Sequence, residues 1–253
     1  QVELLDSKKS RFLVDRWSGS RGQSRFEVWQ RKKKGSKLVR AFDWRIGGSS
    51  TYASLSGDGS ALVQAANRTD LGVVLVTSTQ LRGGSATVRG GFPLDSGTAS
   101  AWVDAVSTVA GKGDVFVHTH FYETVNGSRS FRFSALLRFA PGAGNPSTYE
   151  VTSGTDYAGT WSVSPNGRYV LYESLDSGWN TRLVLIDRVT GVRRTKVYAT
   201  ADISTGAWAK NSKSFLFSVQ GGAGWKNRRL IASNMKVSSL PGPGALSPVV
   251  AAP

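Results

Sequence analysis

Short apolar segments alternate with polar turns along nearly the whole chain. Typical segments are SALVQAA (60–66), GVVLVT (72–77) and SFLFSV (214–219), each bounded by Gly, Asn, Asp or Ser. Their length and their content of branched and aromatic residues are typical of β-strands. A helical period of apolar positions is nearly absent, and the most helix-like stretch, 101–109, contains β-branched residues that disfavour a helix. The pattern predicts an all-β protein.

These strands recur in a fixed plan. Residues 11–42 and 168–198 both open with a seven-residue strand pattern, RFLVDRW and RYVLYES, followed by a seven-residue loop, a second strand that starts with Arg, and a basic turn. The strand, loop and second strand align at a constant offset of 157 residues. Self-similarity of this kind is the signature of a repeat architecture.

A further strand precedes each pair. It carries Trp102, Trp161 or Trp208 in three units and Tyr52 in a fourth, at successive spacings of 50, 59 and 47 residues, while QVELL at the N-terminus matches it in the first unit. Such spacings suit four-stranded blades of roughly 40–50 residues. Radial closure of the blades also avoids a long exposed sheet edge. The sequence therefore predicts a five-bladed β-propeller of four-stranded antiparallel blades.

We expect one propeller domain over residues 1–240. Its blades are placed near residues 1–47, 48–94, 95–154, 155–200 and 201–240. Residues 241–253 (PGPGALSPVVAAP) are expected to form either a flexible tail or a segment that pairs with another strand to close the ring.

One blade carries a recognisable motif. GTWSVSPNGRYVLYES (159–174) resembles the TolB-like, WD40-like propeller repeat, in which a Trp-Ser-Pro-(Asp/Asn)-Gly core precedes a basic, aromatic and aliphatic strand; here Val163 is inserted before the Ser-Pro pair. The corresponding turns at 56–59 (SGDG) and 210–213 (KNSK) lack the proline. The resemblance implies a propeller over most of the chain and favours extracytoplasmic binding or scaffolding, but a fold alone does not identify a function.

The chain is strongly basic, with 32 Lys and Arg against 17 Asp and Glu, a net charge of +15 and a pI near 10.4. This balance favours polyanionic partners such as nucleic acid, an anionic cell-wall polymer or an acidic glycan, although it can also serve solubility alone. Two basic turns between third and fourth strands would share one face, called the bottom. The candidate polyanion-binding residues are Arg31, Lys32, Lys33, Lys34, Lys37, Arg193 and Arg194.

Two further features bear on the compartment. The chain has no cysteine, which excludes disulfides, thiolate metal sites and cysteine nucleophiles, and no apolar run approaches the roughly 20 residues of a membrane span. It starts at Gln1 and its only methionine is Met235, which a cleaved signal peptide would explain, as would a fragment. We expect a secreted or otherwise extracytoplasmic protein.

The opposite face, called the top, carries two loops with a Gly-Trp pair and an Arg three residues later. They contain Trp179 with Arg182 and Trp225 with Arg228, whereas Gly22 stands at the tryptophan position of the first blade. An exposed indole can stack on a sugar ring or an apolar side chain, or it can pack back over the blade edge. These four residues are candidate ligand-binding residues.

An aspartate precedes the first strand of four blades. These residues are Asp43, Asp95, Asp156 and Asp202. They are expected around the mouth of the channel, where they could bind a cation or the hydroxyl groups of a ligand. The alternative is that each caps backbone N–H groups where a strand begins.

Signals of catalysis are weak. A five-bladed glycoside hydrolase would need two carboxylates, for which only the four aspartates and Asp104 are available, and no nucleophile, metalloprotease or phosphate-loop motif is present. His118 and His120 alternate on one strand and could bind a metal, but no third ligand has a convincing spacing, so we interpret them as packing or surface residues. No metal or cofactor is expected.

The leading hypothesis is an exported, non-enzymatic propeller that binds a glycan or an extracellular protein through its top-face loops. A basic polyanion-binding module and a five-bladed-propeller glycoside hydrolase are the alternatives.

Overall fold

The computed structural model describes residues 2–18, 23–43, 51–95, 98, 100–109, 111, 113–142, 145–153, 158–176, 178, 180–198, 202–221 and 224–243. These residues contain twenty strands and a single turn of 3₁₀-helix at Thr69–Leu71. Among them there is no helix of the length and apolar character that crossing a membrane requires. The stretch 101–109, the most helix-like in the sequence, lies almost wholly within a strand.

The strands form five antiparallel sheets of four, and each sheet is continuous in the chain. Blade one contains β1 (Val2–Lys8), β2 (Arg11–Ser18), β3 (Gln23–Arg31) and β4 (Ser36–Asp43). Blade two contains β5 (Thr51–Leu55), β6 (Ala61–Arg68), β7 (Val73–Gln80) and β8 (Thr87–Pro93). Blade three contains β9 (Ser100–Thr108), β10 (Val115–Val125), β11 (Ser128–Phe139) and β12 (Ser147–Ser153).

Blade four contains β13 (Ala158–Val163), β14 (Tyr169–Leu175), β15 (Thr181–Asp187) and β16 (Arg193–Tyr198). Blade five contains β17 (Ile203–Trp208), β18 (Ser214–Gly221), β19 (Gly224–Ile231) and β20 (Val237–Pro243). The prediction of an all-β, five-bladed β-propeller with four-stranded antiparallel blades is confirmed. The last strand includes Pro241–Pro243, and the rest of the expected tail lies outside the described residues.

The blades pack into two compact units, Gln1–Val151 and Thr152–Pro253. In the first unit, one buried apolar cluster joins β2 and β3 to β5 and β6, and a second joins β6 and β7 to β9, β10 and β11. Because alternate residues of a strand face opposite sides, blade two can present one apolar face to blade one and another to blade three. Asn67 supports this packing by donating its side-chain N–H to the carbonyl of Ala101 at 2.7 Å.

The second unit is held together by aromatic residues. Tyr169 and Trp208 stack with ring centroids 6.0 Å apart, and both belong to a buried cluster formed by blades four and five. Trp161 instead stacks on Tyr172 of its own blade at 4.2 Å. The repeated tryptophan therefore fills the core in blades four and five, whereas Trp102 is 43% exposed.

The turns between the first and second strands of blades two, four and five share one hydrogen bond. A side-chain oxygen of Asp58, Asn166 or Asn211 accepts the backbone N–H two residues later at 2.9–3.0 Å. The residue in between has a positive φ, and it is glycine in blades two and four but Ser212 in blade five. The Asx acceptor is therefore the common element of these turns, and the glycine is dispensable.

Candidate functional site

The loop between β14 and β15 is organised around the carboxylate of Asp176. One oxygen accepts the backbone N–H groups of Gly178 and Asn180, each at 2.9 Å, and the other lies 3.2 Å from the guanidinium of Arg182. The hydrogen bonds from Asn180 are the main reason that the pKa of Asp176 is lowered. Trp179 lies outside the described residues, but the residues on either side of it are held by one acceptor.

Trp225 and Arg228 lie on β19 in the adjacent blade, and both are half-buried. Trp225 pairs with Gln220 of β18, and Arg228 donates a hydrogen bond to the hydroxyl of Ser239. Strand pairing here continues to Gly221 and Gly224, so that two residues join β18 and β19.

The arginines of the two predicted Trp-Arg pairs occupy different positions in their hairpins. Arg182 pairs with Ser174 near the end of β14, whereas Arg228 pairs with Phe217 in the middle of β18. A constant spacing of three residues in the sequence does not reveal this difference, because the hairpin lengths differ. The candidate site of blades four and five is asymmetric even within one unit.

Of the four aspartates predicted before first strands, the structure describes the side chains of two, Asp95 and Asp202. Asp95 is exposed and forms an ion pair with Arg132 at 2.6 Å, and it also accepts a hydrogen bond from Thr98. Asp202 is exposed. Asp43 ends β4, but its side chain and the whole of Asp156 lie outside the described residues. The carboxylate of Asp95 thus joins the side chains of Thr98 and Arg132.

Glu173, near the end of β14, was not identified from the sequence. Burial raises its pKa to about 7, and the negative charge of Asp202 adds to this shift. No alternation in the sequence marks it, because residues on both faces of β14 are buried, Val170 and Tyr172 as well as Tyr169 and Leu171. A carboxyl group with this pKa can exchange a proton near neutral pH.

The first basic turn is open to solvent. All residues from 31 to 38 are exposed, and within the described part of the chain none of its five predicted cations forms an ion pair. The turn is closed by a hydrogen bond from the N–H of Lys32 to the carbonyl of Gly35, whose φ is +73°. Its cations are therefore available to an external anion.

The second basic turn is partly used within its own blade. Arg193 lies over the ring of Tyr172, 5.6 Å from its centroid, and donates a hydrogen bond to its hydroxyl group. Arg194 is half-buried on β16. The two turns that look alike in sequence therefore differ in whether their cations also contact residues of their own blade.

His118 and His120 lie beside a carboxylate that the sequence did not connect with them. The Nδ1 atom of His118 is 3.1 Å from an Asp104 oxygen, and the Nε2 atom of His120 is 3.9 Å from the same oxygen. Burial lowers the pKa of both imidazoles, to about 4 for His120, so both are neutral at physiological pH. Both rings are almost completely buried, which rules out a surface position for either histidine.

Neither the models of known protein families nor the sequences of curated proteins match this chain. Solved structures do. TolB from Acinetobacter baumannii is 12% identical at a TM-score of 0.58, over 97% of this chain and 55% of that one. A puromycin hydrolase S511A mutant complexed with PGG is 13% identical at a TM-score of 0.64, and the match covers 93% of this chain and 38% of the hydrolase. The periplasmic gluconolactonase of Pseudomonas aeruginosa is 15% identical at a TM-score of 0.52, and the match covers 94% of this chain and 84% of the lactonase.

The chain thus spans about half the length of TolB and less than two-fifths of the hydrolase. Proteins with these propellers have different activities, and likeness at such low identity is a statement about architecture. The chain has the β-propeller fold of TolB-like proteins, as the motif of blade four predicted.

Proposed function

We propose that this protein is a non-enzymatic binding propeller that works outside the cytoplasm and holds a glycan or a protein on the loops of blades four and five. The observation that carries the proposal is the Asp176-centred loop. A binding loop that is ordered before the partner arrives loses less conformational entropy on association. Four internal donors on one carboxylate hold Gly178, Asn180 and Arg182 in this way.

Trp225 supports the same location. Its half-buried indole is anchored on a strand while part of its surface stays accessible. Partly packed tryptophans are typical of binding hot spots because they offer a large apolar face at a small entropic cost. The likeness to TolB and to a periplasmic lactonase favours an extracytoplasmic location.

The test compares three alanine variants in a glycan-array screen and in capture of extracytoplasmic proteins from the source organism. Trp179→Ala and Trp225→Ala should each weaken the binding that the wild type shows by at least about tenfold, the cost of about 1.4 kcal/mol that a hot-spot residue exceeds. Trp102→Ala is the matched control, because Trp102 is an exposed tryptophan on blade three. Equal binding by all four proteins would exclude the site.

A second function is favoured by the exposed turn of blade one. We infer that Arg31, Lys32, Lys33, Lys34 and Lys37 can contact a polyanion, because these cations are exposed and lack ion pairs in the described structure. Affinity for heparin or DNA should then fall steeply with salt. Replacing all five with serine should reduce the salt slope by several units, whereas Lys210→Ser/Lys213→Ser, on exposed lysines of blade five, should change it less. A salt-independent affinity would contradict this function.

A further inference from the structure

Both histidines of the chain lie in one place, on the same strand and beside the same carboxylate. His118 and His120 are two residues apart on β10, and Asp104 is on the adjacent strand β9. Their rings are 4.5 Å apart between centroids and nearly perpendicular, at 71°. This arrangement directs two imidazoles towards one acidic side chain.

We propose that Asp104, His118 and His120 form a binding site for a divalent transition-metal ion, with Zn²⁺ as the representative ion. Each residue offers one ligand atom, and the three atoms lie within 4.8 Å of one another. Ligands of a tetrahedral zinc, each at about 2.0–2.1 Å, are roughly 3.4 Å apart. The observed separations from the Asp104 oxygen, 3.1 and 3.9 Å, bracket that value.

A β-bulge brings the carboxylate into this position. Ala105 pairs with His118 and Val103 pairs with Thr119, so Asp104 is the extra residue of β9 between two successive pairs. A bulge bends its strand and redirects the side chain of the extra residue. Bulges of this kind are over-represented next to functional sites, and this one supplies the third ligand that the spacing of the histidines does not reveal.

The third strand of the blade orients one ligand. Ser134 on β11 pairs with His120, and its hydroxyl oxygen lies 2.6 Å from His120 Nδ1. Metal-binding histidines are commonly held through the ring nitrogen that does not bind the ion. Ser134 therefore fixes the ring so that Nε2 is the nitrogen that faces Asp104.

The surroundings allow an ion to enter. Both histidines are nearly fully buried, whereas the side chain of Asp104 is 36% exposed. The carboxylate thus connects the imidazoles to solvent, from which a water molecule can complete the coordination. Two imidazoles and a carboxylate suit Zn²⁺ and similar divalent ions, and thiolate ligands are excluded because the chain has no cysteine.

The decisive experiment is a Zn²⁺ titration of the untagged, chelator-treated chain by isothermal calorimetry, with metal analysis after dialysis. The expected result is one Zn²⁺ per chain. Asp104→Asn should weaken binding by at least about 100-fold, and Ser134→Ala by roughly 10–100-fold, the effect usual for a residue behind the ligands. Asp70→Asn is the control, since Asp70 is an exposed aspartate on blade two that forms an ion pair with Arg68. The Zn²⁺ affinity of this variant should equal that of the wild type.

Binding below stoichiometry in the wild type, or equal affinity in Asp104→Asn and the wild type, would overturn the proposal in favour of a packed His–Asp hydrogen bond. Circular dichroism checks that each variant is folded. If Asp104→Asn does not fold, the visible spectrum of the Co²⁺-loaded wild type decides. Ligand-field bands of a four- or five-coordinate ion support the site, and the spectrum of free aqueous Co²⁺ excludes it.

Discussion

Asp6 on β1 accepts a hydrogen bond of 2.6 Å from the hydroxyl of Ser54 on β5. The same carboxylate oxygen accepts the backbone N–H of Leu55 at 2.9 Å. The first strands of blades one and two are thus joined by a charged acceptor that satisfies one side-chain and one main-chain donor. Since Ser54 is buried, loss of the acceptor leaves its hydroxyl poorly hydrated.

Asp6→Ala should therefore lower the free energy of unfolding by roughly 1.5–3 kcal/mol, the range for hydrogen bonds to a charged group. Urea denaturation measures this change. Asp70→Ala removes an exposed ion pair, which solvent screens, and should cost much less. Similar losses in the two variants would show that Asp6 does not stabilise the junction of the blades.

Glu27→Gln should lower stability by about 1.5–3 kcal/mol at pH 7. The carboxylate is 1% exposed and accepts hydrogen bonds from Trp29, Arg25 and Arg16 at 2.7–3.1 Å. Burial raises the pKa of Glu27, whereas the three hydrogen bonds lower it by a larger amount. The net result is a pKa below its usual 4.5. The stabilisation that the ionised Glu27 carboxylate provides is thus complete above pH 4.5, and it is lost as the pH falls through the pKa of the folded state.

Urea denaturation of both proteins at several pH values tests this. The difference between wild type and Glu27→Gln should shrink below pH 4.5. A difference that stays constant from pH 7 to pH 3 would contradict the role assigned to the charge of Glu27.

Glu173→Gln should have the opposite effect. The pKa of Glu173 is raised to about 7, so its ionisation opposes folding increasingly from pH 4.5 to pH 7 and by a constant amount above. The variant should be more stable than the wild type at pH 8, by up to roughly 3 kcal/mol and less where solvent reaches the carboxylate, and nearly equal at pH 4. Thermal unfolding at pH 4, 6 and 8 measures this, and a pH-independent difference would exclude it.

Gly206→Ala should destabilise blade five by roughly 3 kcal/mol or more, at the upper end for overpacking. A Cβ at this position would lie 1.6 Å from the carbonyl oxygen of Leu216 on β18, so the two backbones would have to separate. Gly91→Ala is the control, since a Cβ there would meet only the side chain of Val73 at 3.6 Å. The two denaturation curves should differ clearly, and similar curves would show that β17 can move away from β18.

Asp176→Ala should loosen the loop between β14 and β15 without unfolding the blade. Gly178 and Asn180 would lose the acceptor of their backbone N–H groups. Their amide hydrogens should exchange about 2–10 times faster, while those of Leu185 and Ile186 in β15 stay protected. Unchanged exchange at Gly178 and Asn180 would show that other contacts hold the loop.

The strands and the five blades were predictable because their signals are local. The alternation of apolar and polar residues along a strand depends on a few neighbouring residues. So does the hydrogen bond from a turn's backbone N–H to an Asp or Asn side chain, as in the turn of Asn166. Strand register is less local. The pairing of Ala105 and Val103 with successive residues of β10 depends on packing in three dimensions, so the approach of Asp104 to His118 was not visible in the sequence.

The candidate ligand site was predictable only as a pair of loops. The sequence located Trp179 and Trp225 near the β14–β15 and β18–β19 connections, but Asp176 and Glu173 were missed. Asp176 matters because of the donors that it binds across its loop, and Glu173 because of its burial and the charge of Asp202. Hydrogen-bond convergence on one carboxylate and burial beside a second negative charge are properties of the folded chain alone.

The turns before the second strands have a consequence for how such a protein can evolve. Asp58 and Asn166 carry different charges but accept the same backbone hydrogen bond, and the geometry needs only the oxygen that they share. Exchange between acid and amide at these positions therefore leaves the scaffold intact. A lineage can therefore change its surface charge at these turns while the blades that contain them keep their shape.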